Sequence, residues 1–315
     1  MISFVVIGKN IETTIKICLD SIFETIRFNN IINYEVIFID SKSCDKTLSI
    51  AKQYDKINIY QIKDKPNAAV ARNLGFTKSK GQYIFFIDGD MKILAKTMSK
   101  LFNEKKGLKY PFISGDFIDS FKDNGKNIQK KYYNLTKNVF QNKVGGLFIL
   151  ERNLWEKVNG MRSCFRRSQD LDFALRMSNI GFPLLRVKDV LAYHYTEDYY
   201  SYKRFFKDLK NGNFLYQGLI YKYNLSNKYM YKEYLYKEIT FFTLLLVFFT
   251  LIYFKTKFIL LIYLFSLLGK LFYKKINKNH AFKLLQFIIH DINLLISIIF
   301  FWPSSHKKIS YKKIK

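Results

Sequence analysis

Cysteine and acidic residues are both scarce in this chain of 315 residues. Three cysteines, Cys18, Cys44 and Cys164, are too few and too scattered for a disulfide framework or a zinc site, so we expect reduced thiols with structural roles. The N-terminus also lacks a basic segment followed by a long apolar run and a cleavage site. We therefore expect the N-terminal part of the protein to remain in the cytosol.

The shortage of acids is uneven along the chain. Residues 1–200 carry 32 basic and 21 acidic side chains, whereas residues 201–315 carry 20 and 4. Apolar residues make up 49% of the sequence, which excludes a globally disordered protein. A net charge of +27 would suit a nucleic-acid binder, but the basic residues of the second part flank long apolar runs. This arrangement favours membrane lipids over nucleic acid as the partner.

The first 200 residues alternate between short apolar strands and helical segments. The strand segments read SFVVIG, YEVIFID, INIYQI and QYIFFID. Because they are continuously apolar, they predict an α/β, Rossmann-like, mostly parallel sheet with helices on both faces. Ligands bind beyond the carboxyl ends of such strands. Asp40, Asp88 and Asp90 all follow strand ends, so we expect them to share one site.

The Asp88-Gly89-Asp90 sequence is a candidate metal site. Two carboxylates around a glycine can hold Mg²⁺ or a similar divalent cation, which then binds phosphate oxygens and neutralises the charge of a departing diphosphate. A plain tight turn is the alternative for an isolated Asp-x-Asp, because Asp and Gly are ordinary turn residues.

Four blocks of residues occur in an order that is typical of one enzyme family. They read FVVIGKNIETTIKICLDSI, EVIFIDSKSCDKTLSIA, AAVARNLGFTKSKGQYIFFIDGDM, and GGLFILERNLWEKVNGM followed by SQDLDFALRMSNIGF. On these blocks, and over roughly residues 2–195, the chain resembles the family-2 glycosyltransferases, inverting enzymes of the GT-A fold. The resemblance implies a nucleotide-diphospho-sugar donor.

The resemblance also assigns residues to a donor site. It implies that Mn²⁺ or Mg²⁺ binds to Asp88 and Asp90, with His194 as a third metal ligand or a diphosphate contact. A strand-end histidine bonded to backbone is the alternative for His194. The residues implied around the donor nucleotide are Gly8, Asn10, Glu12, Asp40, Arg72 and Asp88.

The acceptor side of the site is expected at Gln169-Asp170-Leu171-Asp172. The family usually has Glu-Asp here, with the aspartate as catalytic base, so the resemblance implies Asp170 as the base and Asp172 as the second candidate. An inverting transfer needs one such base near the acceptor hydroxyl. The alternative is that Asp170 only caps the helix that follows.

The last part of the chain predicts membrane association. Residues 201–238 are rich in Tyr, Phe and Lys, which suits helices at a membrane–water interface. Residues 239–303 contain three apolar runs, and a basic tail follows over residues 304–315. If the basic segment at 274–278 and the tail are both cytoplasmic, the number of spans is even, so we expect two spans or a hairpin with an interfacial helix. His290 and Asp291 interrupt the third run, either for a function or because they face water.

Together these features predict a metal-dependent inverting glycosyltransferase anchored in the cell membrane, with its catalytic domain in the cytoplasm. It would move one sugar from a nucleotide-diphospho-sugar to a lipid-linked or glycan acceptor, in the synthesis of a cell-surface polysaccharide or glycolipid. The chain lacks the Gln-x-x-Arg-Trp motif that processive synthases of the family usually carry, which favours single addition. The alternatives are a polyprenyl-phosphate glycosyltransferase and an inactive membrane scaffold, the latter favoured only by Gln169 in place of Glu.

Overall fold

The computed structural model describes residues 1–104, 107–123, 126–196, 202–254, 259–273, 280–305 and 308–315. It contains two compact units, one formed by Met1–Phe205 together with Ser304–Lys315 and the other by Phe206–Pro303. The first boundary therefore follows Phe205 rather than residue 200. The expected separate tail over residues 304–315 is instead part of the first unit. The basic segment expected at 274–278 lies outside the described residues.

A single sheet runs through the first unit. Its strands are β1 (Ile2–Gly8), β2 (Tyr34–Asp40), β3 (Asn58–Ile62), β4 (Tyr83–Asp88), β5 (Met91–Ile93), β6 (Phe112–Asp123), β7 (Lys126–Lys131), β8 (Val139–Gln141), β9 (Leu147–Glu151), β10 (Leu184–Tyr195) and β11 (Tyr311–Lys313). Their order is β11-β3-β2-β1-β4-β9-β6-β10-β5, with β7 paired to β6 and β8 paired to β10.

The parallel arrangement predicted from the apolar strands holds for one half of the sheet. Strands β3, β2, β1 and β4 are all parallel, so Gly8, Asp40 and Asp88 end at the same edge. In the other half only β6 and β10 are parallel, and β9 runs antiparallel to both β4 and β6. The sheet is therefore mixed rather than mostly parallel, and its parallel half positions the predicted donor residues.

Helices cover both faces of this sheet, as the continuously apolar strands predict. The helices of the first unit are α1 (Ile15–Phe28), α2 (Thr47–Ala51), α3 (Ala68–Lys78), α4 (Thr97–Leu101), α5 (Arg152–Lys157) and α6 (Gln169–Asn179), and α7 (Tyr202–Lys210) crosses the unit boundary. Phe4 and Val6 of β1 pack in one core cluster with residues of α1, whereas Val5 and Ile7 pack in another with residues of α3. Alternate side chains of one strand thus enter two cores, which explains its unbroken apolar sequence.

The second unit is helical. Its helices are α8 (Leu215–Tyr223), α9 (Lys228–Tyr234), a 3-10 turn (Leu235–Glu238), α10 (Ile239–Phe254), α11 (Ile259–Tyr273) and α12 (His280–Phe300). Among the described helices, α12 alone is long and apolar enough to cross a membrane, a property it shares with some core helices of soluble proteins. Many large apolar side chains of α10, α11 and α12 are exposed, including Phe249, Phe265 and Phe300.

A polar cluster lies among these apolar helices. The Asp291 carboxylate accepts hydrogen bonds from Thr240 Oγ1 at 3.2 Å and Tyr263 Oη at 3.0 Å. His290 Nε2 lies 2.9 Å from Glu238 Oε2. Asp291 is completely buried, so of the two alternatives left open, the one in which it faces water does not hold. Every member has a partner within the unit, as a buried polar network requires.

The C-terminal residues complete the edge of the sheet. Strand β11 pairs antiparallel with β3, and Lys315 Nζ donates to the Tyr54 carbonyl oxygen at 2.8 Å. Both chain connections of the second unit, before Phe206 and after Pro303, therefore lead into the first unit.

Candidate active site

A cleft of about 380 Å³ lies at the carboxyl edge of the parallel strands. Its lining comprises Ile7, Gly8, Lys9, Ile11, Ser41, Pro66, Asn67, Ala68, Asp88, Gly89, Asp90 and Arg166. The structure therefore brings together Gly8, Asp88 and Asp90 of the predicted site. A somewhat larger, mainly apolar cavity lies beside Met1 and Tyr83, at the amino ends of β1 and β4, away from these carboxylates.

Asp88 ends β4 and is held on two sides. Its Oδ1 accepts a hydrogen bond from Arg72 Nη2 at 2.7 Å, and its backbone N–H donates to the Gly146 carbonyl oxygen at 2.9 Å. Burial is the main cause that raises the pKa of Asp88, to about 6, and Asp90 adds to this effect whereas Arg72 and His194 oppose it. Arg72 Nε and Nη1 are buried without a hydrogen-bond partner among the described residues, so they need an acceptor from elsewhere.

His194 is placed beside Asp90 by strand pairing. It lies on β10 opposite Met91 of β5, and its Nε2 is 3.6 Å from Asp90 Oδ2. Its Nδ1 lies 2.7 Å from Asp119 Oδ1 on β6. Burial by itself lowers the pKa of His194, but the carboxylates of Asp119 and Asp90 outweigh it and raise the pKa to about 10. The sequence left open that His194 is merely a strand-end histidine bonded to backbone. The structure instead places its two ring nitrogens beside the carboxylates of Asp119 and Asp90.

Asp90 and His194 offer ligand atoms of the kind that a divalent cation takes. Asp90 Oδ1 is buried and has no hydrogen-bond partner among the described residues, so an acceptor oxygen beside His194 Nε2 is left unsatisfied. Carboxylate oxygens and an imidazole nitrogen are suitable ligands for Mn²⁺. Asp88 offers at most its second oxygen, because its Oδ1 is engaged by Arg72.

Asn10 and Glu12 hold the loop after β1 against the loop after β2. Asn10 Oδ1 accepts a hydrogen bond from the Cys44 backbone N–H at 2.9 Å, and Glu12 Oε2 accepts one from that of Lys46 at 2.9 Å. Asn10 also adopts a positive φ of 53°, in the left-handed region that asparagine tolerates. These contacts shape one wall of the cleft, and direct donor contacts of the two residues stay a prediction.

Asp40 is fully buried at the end of β2. Its Oδ2 accepts hydrogen bonds from Gln61 Nε2 at 2.7 Å and from the Ser43 backbone N–H at 3.0 Å. Its Oδ1 has no hydrogen-bond partner among the described residues. An oriented carboxylate with one unsatisfied oxygen is well suited to accept an N–H of a ligand.

The two candidate bases occupy different environments in α6. Asp172 is fully buried and bound by two arginines, Arg162 Nη1 at 2.5 Å and Arg176 Nε at 3.0 Å. Asp170 is partly exposed in the first turn of α6. Ser168, just before the helix, has a φ of 61°, which is uncommon for a residue other than glycine and indicates a locally constrained backbone.

Residues 142–146 form a loop between the expected acceptor side and the donor side of the site. Arg186, completely buried, donates to the backbone carbonyls of Lys143 and Val144 at 2.8 Å and thereby fixes this loop. Burial lowers the pKa of Lys143, but Tyr132 chiefly, with Tyr133 and Asp170, outweighs burial and raises the pKa. Gly146, at the other end of the loop, touches Asp88. The loop thus touches the donor carboxylate and carries Lys143, whose charge interacts with that of the base candidate.

The sequence did not reveal three of these residues. Arg186 and Asp119 lie within strands and belong to no motif, so no signal in a single sequence distinguishes them from surface charges. Gly146 could have been found, because paired glycines at 145 and 146 directly precede an apolar strand and indicate a close backbone approach.

Comparison with known proteins agrees with this geometry. The sequence model "Glycosyl transferase family 2" matches residues 3–170, more than half of the chain. The chain belongs to glycosyl transferase family 2. This family-2 enzyme is therefore a glycosyltransferase, as the four sequence blocks predicted.

Individual relatives are distant. An uncharacterized glycosyltransferase of Haemophilus influenzae is 22% identical over 204 residues, 61% of this chain and 67% of that protein. The poly(ribitol-phosphate) β-N-acetylglucosaminyltransferase TarP of Staphylococcus aureus is 35% identical over 89 residues, which is 27% of either chain. The matched segment is thus only about a quarter of TarP.

A solved structure supports the fold. Residues 1–349 of TarS from S. aureus, determined with UDP-GlcNAc, superimpose with a TM-score of 0.53 at 15% identity, over 72% of this chain and 67% of that one. At this identity the similarity concerns the fold, and it confirms the GT-A architecture that was expected.

Proposed function

We propose that this family-2 enzyme is a metal-dependent inverting transferase that moves one sugar from a nucleotide-diphospho-sugar to an acceptor of cell-surface polymer synthesis. The observation that carries the proposal is the arrangement of Asp88, Asp90 and His194 in and beside the cleft at the carboxyl edge of the sheet. Ligands bind at this edge in open α/β sheets. The UDP-GlcNAc bound to TarS supports a nucleotide sugar as the donor.

The proposed donor contacts follow from the unsatisfied polar atoms. Asp40 Oδ1 accepts an N–H of the nucleotide base, because it is the buried acceptor without a partner at the end of β2. Arg72 holds Asp88 in place through a short ion pair. Lys9 and Arg166 line the cleft and supply positive charge for the diphosphate. Gly8 lines the cleft, and Asn10 and Glu12 hold the neighbouring loops in place through hydrogen bonds to the backbone of Cys44 and Lys46.

Asp90 and His194 would hold Mn²⁺ or Mg²⁺, with Asp88 contributing its second oxygen. When bound, this cation neutralises negative charge on the departing diphosphate. The protein's part is to present these ligands in a fixed geometry, which the Arg72–Asp88 and Asp119–His194 contacts supply.

Asp170 is proposed as the base that removes the proton from the acceptor hydroxyl. Of the two candidate bases in α6, Asp170 is the partly exposed one. Asp172 is buried between Arg162 and Arg176 and would have to break two ion pairs to act. We therefore assign Asp170 to catalysis and Asp172 to the stability of α6, although the resemblance leaves both as candidates.

The acceptor is proposed to be a cell-surface glycan or polyol-phosphate chain, free or linked to lipid. TarP, the relative that shares 35% identity over its matched segment, acts by its name on poly(ribitol-phosphate). Lys143 donates to Tyr132 Oη at 2.8 Å, and its positive charge interacts with the carboxylate of Asp170, the proposed base. This arrangement suits an acceptor that carries negative charge.

Membrane anchoring is proposed for the second unit. Its helices expose many large apolar side chains, among them Phe249, Phe265 and Phe300, and clustered exposed apolar residues mark interaction with a membrane or a partner. Since both connections of this unit lead into the first unit, the number of membrane crossings must be even. Because α12 alone among the described helices is long enough to cross by itself, a second crossing would have to be made by α10 or α11, of 16 and 15 residues; otherwise all three helices lie at the interface.

The test is release of nucleotide diphosphate by full-length protein in detergent. UDP-, GDP- and dTDP-sugars are supplied with Mn²⁺ or chelator and with membrane lipid extract or polyol-phosphate polymer as acceptor. We expect metal-dependent release from one donor, lost in Asp90→Asn and unchanged in Asp189→Asn, a surface carboxylate on the same strand as His194. No release and no nucleotide binding by the folded protein would contradict the proposal and favour the inactive scaffold.

A further inference from the structure

His194 is held by a carboxylate that no motif reveals. Asp119 on β6 is the register partner of His194 on β10, and its Oδ1 lies 2.7 Å from His194 Nδ1. The Asp119 side chain is only 11% exposed. A buried carboxylate opposite an imidazole at this distance is a strong, directed hydrogen-bond acceptor.

The orientation of the His194 ring is fixed on a second side. The Phe117 ring, two residues before Asp119, packs edge-on against it with centroids 5.6 Å apart and an interplanar angle of 86°. With Nδ1 directed to Asp119, Nε2 is the ring nitrogen on the side of Asp90, 3.6 Å from its Oδ2. Turning the ring over would lose the Asp119 contact.

We propose that Asp119 is a positioning residue of the metal site. It accepts the Nδ1 proton of His194, so that Nε2 is the nitrogen presented to the cation beside the unsatisfied Asp90 Oδ1. Metal-bound histidines generally donate their other ring N–H to such a partner, which fixes the tautomer and the ring orientation. This inference rests on the proposed function, because it assumes that His194 is a metal ligand.

The strongest alternative location for a metal is the cluster of Glu238, His290 and Asp291, whose ligating atoms lie within 4.8 Å of one another. Its members already bond to one another, to Thr240 and to Tyr263, whereas Asp90 Oδ1 has no partner among the described residues. The site at Asp90 and His194 is therefore the one whose contacts leave an acceptor for a cation.

The test measures Mn²⁺ binding by full-length protein, without donor, from the EPR signal of free Mn²⁺. Asp119→Ala is expected to weaken Mn²⁺ binding by about tenfold or more. Asp119→Asn, which keeps an oxygen acceptor, should retain most of the affinity. Asp189→Asn, on the strand of His194 but ion-paired to Lys100 at the surface, is the matched control and should bind as wild type does.

A double-mutant comparison separates positioning from general damage. If Asp119 acts through His194, the Asp119→Ala/His194→Ala protein binds Mn²⁺ no more weakly than His194→Ala alone. Wild-type affinity in Asp119→Ala, or an equal further loss in the double variant, would overturn the inference while leaving the metal site intact. Failure of the wild type to bind Mn²⁺ would overturn both proposals. Should Asp119→Ala not fold, Asp119→Ser replaces it, because its hydroxyl is too short to reach Nδ1.

Discussion

Gly146 is the position where one methyl group should damage the proposed donor site most directly. A Cβ at residue 146 would lie 2.5 Å from Asp88 Oδ2 and 3.0 Å from both Asp88 Cγ and Met91 Cε. An ordinary contact begins near 3.4 Å, so the carboxylate would have to move by almost 1 Å. Asp88 cannot yield freely, because Arg72 holds its Oδ1 at 2.7 Å. Displacements of about 1 Å in a catalytic site can cost about 100-fold in rate.

We therefore expect Gly146→Ala to lower the rate of nucleotide diphosphate release by about 100-fold, with a destabilisation of about 1–3 kcal/mol from overpacking. The assay combines initial rates at saturating Mn²⁺ with thermal unfolding. Gly107→Ala is the matched control, because a Cβ there meets only the Asn103 side chain, at 3.6 Å or more. A fully active Gly146→Ala protein would refute the reasoning that Asp88 must keep its observed position.

Three further outcomes are expected. Raising the pH from 6 to 8 should strengthen Mn²⁺ binding by about tenfold per pH unit, because His194, whose pKa is raised to about 10, must lose a proton before it can bind the cation. Asp88 adds to this effect near pH 6, since it is partly protonated near its pKa of about 6. An affinity for Mn²⁺ that calorimetry finds independent of pH would contradict this expectation. Asp172→Asn should destabilise the fold by about 3 kcal/mol, since it leaves Arg162 and Arg176 without their carboxylate, and an unchanged melting temperature would argue against a structural role. Asp170→Asn should abolish sugar transfer with little change in melting temperature, and an active variant would remove Asp170 as the base.

The parallel half of the fold could be predicted from the sequence because its signals are local. Continuous apolar strands alternate with helices, and the carboxylates at the ends of β2 and β4 were located correctly at one edge of the sheet. The mixed half could not be predicted, since the direction of β9 depends on pairing with β4 and β6 across long stretches of chain. The return of the C-terminal residues to pair with β3 spans most of the sequence and leaves no local pattern.

The site shows the same division between local and distant information. Asp88 and Asp90 follow from one short motif, and strand pairing confirms that His194 lies beside Asp90. The expectation of Asp170 as the base, with Asp172 as the second candidate, did not anticipate that Asp172 is enclosed by two arginines. Burial and ion pairing depend on Arg162, which lies outside the helix that carries the aspartate, so spacing alone could not distinguish the two.

The most direct test of the account is a structure of the full-length protein with Mn²⁺ and the nucleotide diphosphate that the donor assay identifies. The account predicts nucleotide density in the cleft lined by Gly8 and Asp88, with the base bonded to Asp40 and Mn²⁺ bound by Asp90 and His194. Nucleotide bound at another surface, or Mn²⁺ bound only by Glu238, His290 and Asp291, would contradict it.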